Sequence, residues 1–280
     1  MTETQKRFAT AGVVIPILLV FFWLGRLWFF GLVEVVILIG MLEFYKMVEA
    51  KGLNAQKLIG TGFALALGIL FYLNVDKEIL LLAFALLTLV ILGRQLFQKD
   101  ISGALTTTGS TILGVFYVGF LLSHILLLRN WSGKQGGTDF GLFLIVLVIA
   151  ITFLSDTGGF LIGRKWGKHK MSPMISPKKS WEGAVGSLIF GTAGSVLTKL
   201  VFDKWIIHTN LSMFHSVVLG VILVIVAMTG DTVESLLKRD AGVKDSGNIV
   251  PGHGGILDRL DSIVFTVPVC FYYLKLIVYA

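Results

Sequence analysis

Residues 235–261 read SLLKRDAGVKDSGNIVPGHGGILDRLD and gather ionisable side chains in a chain that is otherwise mostly apolar. Lys238, Arg239, Asp240, Lys244, Asp245, His253, Asp258, Arg259 and Asp261 all fall in this one block, with apolar runs on both sides. Keeping so many ionisable groups against a bilayer costs free energy, so a functional site is the default reading. Carboxylates are oxygen ligands for a hard divalent cation, and Lys and Arg pair with phosphate. On a helix, Asp231, Glu234 or Ser235, and Lys238 share a face. Neighbouring carboxylates there repel unless something positive neutralises them. A salt bridge to Lys238 is the plain account, and a metal ion held by Asp231 is the sharper one. Asp258 and Asp261, three apart, project from one side of the last helix. With Asp245 and Asp231 they could form an oxygen cage for Mg²⁺, which needs only one or two carboxylates beside water and phosphate. Amides next to Gly254 and Gly255 could approach an anion closely at a helix N-terminus. One cysteine and no HExxH argue against a zinc site, and GxxxxGK[ST] is absent.

A second polar block, residues 155–183, reads SDTGGFLIGRKWGKHKMSPMISPKKSWEG. Asp156 lies inside an apolar run, where a lone carboxylate costs roughly 2.5–3.5 kcal/mol. It is expected to face the protein interior or a wet cavity. Arg164, Lys165, Lys168, His169 and Lys170 form a basic cluster suited to anionic headgroups. Pro177 stiffens the approach to a helix start, Ser180 is the candidate N-cap, and Glu182 suits the first turn. Gly183 stands where a capping box needs Glu or Gln. Lys178 and Lys179 therefore sit just before a helix N-terminus, a ready anion site.

The elements that must position these residues are helices in a membrane. Of 280 residues, 55% are hydrophobic and only 15% charged, too oily for a soluble chain of this length. The expected fold is all-α, a polytopic integral membrane protein with about nine spans at 8–24, 27–47, 57–73, 79–97, 104–127, 140–163, 181–202, 212–237 and 260–279. One integrated membrane domain is expected, with residues 1–135 as N-terminal helices and 136–280 as the catalytic region. MTETQKRF leads into apolar sequence without a small-residue cleavage site and reads as a retained first span. A cytoplasmic N-terminus puts most of the 24 Lys and Arg on the inside, and the last two polar loops decide that balance. Both polar blocks then share the cytoplasmic surface. The net charge of +7 follows from these loops, so nucleic acid is not an expected partner. Cys270 reads as a small core residue.

Ser235-x-Leu237-Lys238-Arg239-x4-Lys244-Asp245-x-Gly247, followed by Pro251-x-His253-Gly254-Gly255-Ile256-x-Asp258-Arg259-Leu260-Asp261, resembles the signature of phosphatidate cytidylyltransferases. Asp156-Thr157-Gly158, Gly163-Arg164-Lys165-x-Gly167-Lys168 and Ser176-Pro177-Lys178-Lys179-Ser180-x-Glu182-Gly183 are similar to that family too. The resemblance covers roughly the C-terminal half. It implies CTP and phosphatidate as substrates, CDP-diacylglycerol and pyrophosphate as products, and Mg²⁺ as cofactor, with a second cation left open. It also implies roles. Asp231, Asp245 and Asp258 would ligate metal, with Asp261 a ligand or a partner of one. Lys238, Arg239, Lys178 and Lys179 would hold the triphosphate or the lipid phosphate, with Lys244, Ser180, Glu182, Gly254 and Gly255 in the substrate-binding set. Arg259 pairs with phosphate or with a carboxylate. His253 orients a phosphate oxygen or protonates pyrophosphate, and Asp156 anchors a basic loop. The expected setting is a bacterial inner membrane, with membrane lipid as surroundings; a homodimer is compatible but not fixed. Two rivals are a CTP-dependent polyprenol or phytol kinase and an ion-coupled transporter using Asp156 and Glu34.

Overall fold

A computed structural model describes residues 21, 25–98, 101–131, 138–249 and 254–279. The expected span at 8–24 lies almost wholly outside the described residues, and His253 lies outside them as well. The helices are α1 (Arg26–Ala50), α2 (Lys57–Tyr72), α3 (Lys77–Gln95), α4 (Ala104–Arg129), α5 (Thr138–Trp166), α6 (Trp181–Trp205), α7 (Met213–Asp240) and α8 (Leu257–Tyr273). Residues Val115–Phe120 of α4 form a π-helical stretch, and another, Leu274–Val278, continues α8. Strands β1 (Lys170–Ser172) and β2 (Ser176–Ser180) make an antiparallel hairpin between α5 and α6. The protein is thus an all-α polytopic membrane protein.

Among the described residues seven helices are long and apolar enough to span a bilayer; α2, at 16 residues, is shorter. Hydrocarbon leaves backbone groups no water to bond, and helices satisfy them internally. Leu81, Leu89, Leu105, Phe153, Ile189 and Leu276 are exposed, as lipid-facing side chains should be.

The chain divides into two compact units. The first comprises residues 1–126 and 237–260. Side-chain hydrogen bonds tie its helices together: the Tyr45 hydroxyl of α1 donates to the Thr111 carbonyl of α4 (3.2 Å). Gln56 donates through its amide nitrogen to Thr111 Oγ1 (2.9 Å) and through Nε2 to the Ile91 carbonyl (2.9 Å). Such bonds hold helices together where lipid removes the hydrophobic drive for association. The last turn of α7 ends in a Schellman pattern: Gly242 N donates to Arg239 O, and Val243 N to Lys238 O. Gly242 takes the left-handed conformation this needs (φ 71°).

The second unit comprises residues 127–236 and 261–280. Its core is the close pairing of α5 with α6 across small residues. A Cβ added to Gly158 would stand 2.5 Å from the Gly186 carbonyl oxygen, and one on Gly186 2.6 Å from the Gly158 carbonyl oxygen. The backbones therefore touch, and neither position has room for a side chain. Ser195 of α6 bonds the Ser216 carbonyl of α7 (2.8 Å), and Ser262 of α8 bonds the Ala227 carbonyl (3.2 Å).

Gly186→Ala should lower stability by about 1–3 kcal/mol through overpacking. Gly109→Ala, in α4 with nothing within 4 Å of its added Cβ, should be neutral or stabilising by up to about 1 kcal/mol. Thermal unfolding of the two variants in one detergent checks the difference.

Candidate active site

Each unit carries a polar cluster built from residues that the sequence singled out. In the second unit the β hairpin delivers lysines to the start of α6. Its strands pair Lys170 with Ser180 and Ser172 with Ser176, and Trp181 N donates to His169 O (2.9 Å). Ser180 caps α6 as its sequence predicts, its Oγ accepting from Gly183 N (3.2 Å). Glu182 reaches back to the approach to the hairpin: its carboxylate accepts from Lys168 N (3.1 Å) and His169 N (3.2 Å) and meets His169 Nδ1 at 2.6 Å. In this structure Glu182 fastens the basic loop.

Lys179 is half-buried and points to α7. Its Nζ lies 2.9 Å from Asp231 Oδ2 and 2.9 Å from Thr232 Oγ1. Asp231 Oδ1 meets only a long contact from Ser235 Oγ, 3.4 Å. Lys178 is exposed. Asp156, Lys178, Lys179, Ser180 and Asp231 line one cavity of about 260 Å³, with Phe160, Met171 and Met228 among its apolar walls. The structure thus brings together five of the sequence-predicted residues, and a lysine-lined recess with apolar walls suits an anionic group attached to oil. Thr232 is an addition that the sequence did not single out.

In the first unit the cluster forms where α7 ends and α8 begins. Lys238 Nζ donates to Asp258 Oδ1 (2.6 Å), both side chains being largely buried. The spacing on α7 offered Lys238 a carboxylate one turn back; the ion pair with Asp258 brings it a carboxylate from the next helix as well. Asp258 Oδ2 accepts from Ser246 N (2.9 Å) and Gly255 N (2.8 Å), with Ser246 Oγ 3.0 Å away. Asp245, next to Ser246, is exposed. A Cβ built on Gly254 (φ 84°) would lie 2.6 Å from Asp258 Oδ2 and 3.5 Å from Asp245 Cβ, so glycine lets these groups crowd together. Arg239, Lys244 and Arg259 are exposed on this unit, and Asp240 pairs with Lys51 of α1.

The residue that sequence reasoning missed is Glu43. It lies on α1, only 1% exposed. Its carboxylate accepts from Ile256 N (3.0 Å), Leu257 N (3.0 Å) and Ser246 Oγ (3.2 Å). The first amides of α8, expected to be open to a phosphate, therefore donate to Glu43, and the Gly255 amide donates to Asp258. The signal was available: a lone glutamate in an apolar run must find donors or pay for their absence.

Among the described residues no group of three or more His, Cys, Asp or Glu side chains is placed to hold a metal ion. The four aspartates expected in a cage differ in what they are doing. Asp258 has a lysine on one oxygen and two backbone amides on the other. Asp261, in the second unit, accepts from its neighbour Ser262 N (2.6 Å). Asp231 keeps one oxygen with only the long serine contact, and Asp245 is exposed. Carboxylate oxygens are the chemistry a hard cation takes, and within the first unit the exposed Asp245 is accessible to such an ion while Asp258 is already neutralised by Lys238.

Residues 5–277 match the cytidylyltransferase family. A phosphatidate cytidylyltransferase of Synechocystis is 32% identical over 97% of this chain and 97% of its own length. Proteins of the same name from Brucella suis (33% identical; 94% of this chain, 90% of the relative) and Bacillus subtilis (31%; 99% of each) are similar throughout. With a match of this extent, and lysines and aspartates gathered at the two polar loops, the chain belongs to the cytidylyltransferase family.

Proposed function

We propose that this protein is a phosphatidate cytidylyltransferase of phospholipid biosynthesis, joining CTP and phosphatidate to give CDP-diacylglycerol and pyrophosphate. The observation that carries the reading is the cavity lined by Lys178, Lys179 and Asp231 in a chain similar along its whole length to proteins of that name. The setting that goes with it is a bacterial inner membrane, with the site on the cytoplasmic face.

An oxygen of the phosphatidate phosphate attacks the α-phosphorus of CTP, a new P–O bond forms, and the bond from that phosphorus to the bridging oxygen of the β-phosphate breaks. A phosphate monoester has its second pKa near ~6, so the nucleophile is largely dianionic at neutral pH. No strong base is required; positioning and charge neutralisation do the work. The obstacle is the repulsion between two anions. Lys179 addresses it with an ammonium whose direction is fixed in advance: Asp231 and Thr232 take two of its three N–H donors, and one remains for phosphate. Lys178 adds a second, mobile charge at the same recess. Lys238, with Arg239, Lys244 and Arg259, supplies positive charge from the other polar segment. A divalent cation, which we take to be Mg²⁺, would supply Lewis acidity and further neutralisation when bound. Asp245, exposed in the first unit, is the residue we assign to hold it.

Purified protein in mixed micelles, given CTP labelled at the α-phosphate, should transfer label to extractable lipid only with phosphatidate and Mg²⁺ present, releasing pyrophosphate. Release of CDP, with the γ-phosphate appearing on lipid, would identify a kinase and overturn the reading. Lys178→Ala with Lys179→Ala should lower kcat/KM by about 10²-fold or more. Asp245→Asn should abolish Mg²⁺-dependent turnover while leaving thermal unfolding unchanged; a near-normal rate removes Asp245 from the metal site.

A further inference from the structure

We propose that Glu43, on α1, is a positioning residue for the reaction, acting through Ser246 and the first turn of α8. The inference rests on the functional reading above.

Its geometry is that of a cap supplied by another helix. The first amides of any helix lack partners within it. Here two consecutive amides, Ile256 N and Leu257 N, donate to the two oxygens of a carboxylate some two hundred residues earlier in the chain. The same carboxylate accepts from Ser246 Oγ. Ser246 also contacts Asp258 through both N and Oγ, and Asp258 holds Lys238. A continuous chain therefore runs Glu43–Ser246–Asp258–Lys238, entirely within one compact unit. Asp245 is covalently next to its middle member. One buried side chain on α1 thus fixes the loop that carries the proposed metal ligand and the helix start that orients the proposed phosphate-binding lysine.

The surrounding residues are shaped to Glu43. A Cβ on Gly247 would stand 2.4 Å from Glu43 Oε1, and one on Gly255 2.6 Å from Oε2 and 2.1 Å from Ser246 Oγ. Two loop glycines are therefore required by the carboxylate itself, which occupies the space their side chains would take. Packing alone would be served by any apolar side chain of similar size. Three converging donors are served only by an acceptor, and the groups it aligns are those to which the reaction assigns work. Displacing a reacting group by about 1 Å can cost about 10²-fold in rate.

Glu43→Gln keeps the shape but turns one acceptor into an NH₂ facing a donor. Relative to wild type in the same micellar assay, it should lower kcat by about 10- to 100-fold and raise the half-saturating Mg²⁺ concentration. The KM for phosphatidate, assigned to the other unit, should stay nearly constant. Glu43→Asp, which keeps the charge, should fall between Glu43→Gln and wild type. A purely structural cap would lower the unfolding temperature of Glu43→Gln and leave kcat and the Mg²⁺ titration at wild-type values, and that result overturns the proposal. If Glu43→Gln does not fold, Ser246→Ala decides, because it cuts the same chain: an unchanged Mg²⁺ titration and kcat overturn the idea equally. Wild-type protein without any cytidylyl transfer would instead sink the functional reading, and this inference with it.

Discussion

A carboxylate in an apolar helical protein has to be met by donors, and that demand organises both polar clusters. Glu43 is met by two amides and the Ser246 hydroxyl, Asp258 by a lysine and two amides, and Asp231 by a lysine. Leaving any of these buried or half-buried groups without partners would be far more costly than the small net gain a hydrogen bond gives in water. The helices can vary their lipid-facing residues freely. The donors around these acids cannot move without a penalty, and so the polar loops keep a defined shape beside a featureless solvent.

The same demand explains the glycines. Between α5 and α6, Gly158 and Gly186 let two backbones touch, which lipid alone would not drive. Around Glu43, Gly247 and Gly255 make room for a carboxylate in place of a backbone. The glycine-rich stretch at 242–255 looks in sequence like a cradle for an external anion. In the folded chain the amides of Gly255, at its end, and of Ile256 and Leu257, just beyond it, point to acids of the protein itself.

Much of the fold was legible because hydropathy is read directly by the bilayer. The apolar runs predicted at 140–163 and 181–202 fall inside α5 and α6, and 57–73 matches α2 within a residue. The Ser180 cap was legible from residue type and position alone, as was the kinship of the lysine and aspartate motifs. The β hairpin was not, since Pro173, Pro177 and three lysines carry no strand alternation. The partners of the acids were not legible either. Local spacing offers Lys238 a neighbour on its own helix, and says nothing of Asp258, which pairs with it from 20 residues on, across a loop. Glu43 was hidden by its setting: the cost argument that drew attention to Asp156 applies equally to it, yet a single acid in an apolar run leaves no motif. What it bonds is fixed only when α1 and the start of α8 meet.

Neutralised acids and available cations are two sides of one arrangement. Were Lys179 a bare ammonium, it would be free to swing, and ordering it on substrate would cost side-chain entropy at each turnover. Paired with Asp231 and Thr232, it is ordered before substrate arrives, yet its third donor is uncommitted. An incoming phosphate need not break the ion pair to be bound. It meets a local charge near zero, however, and on the proposed reading the attraction for two anions comes from elsewhere, from exposed Lys178 and from a divalent cation. The exposed carboxylate of Asp245 makes chemical sense on the proposed reading: an acid left accessible to solvent is one a divalent ion can use.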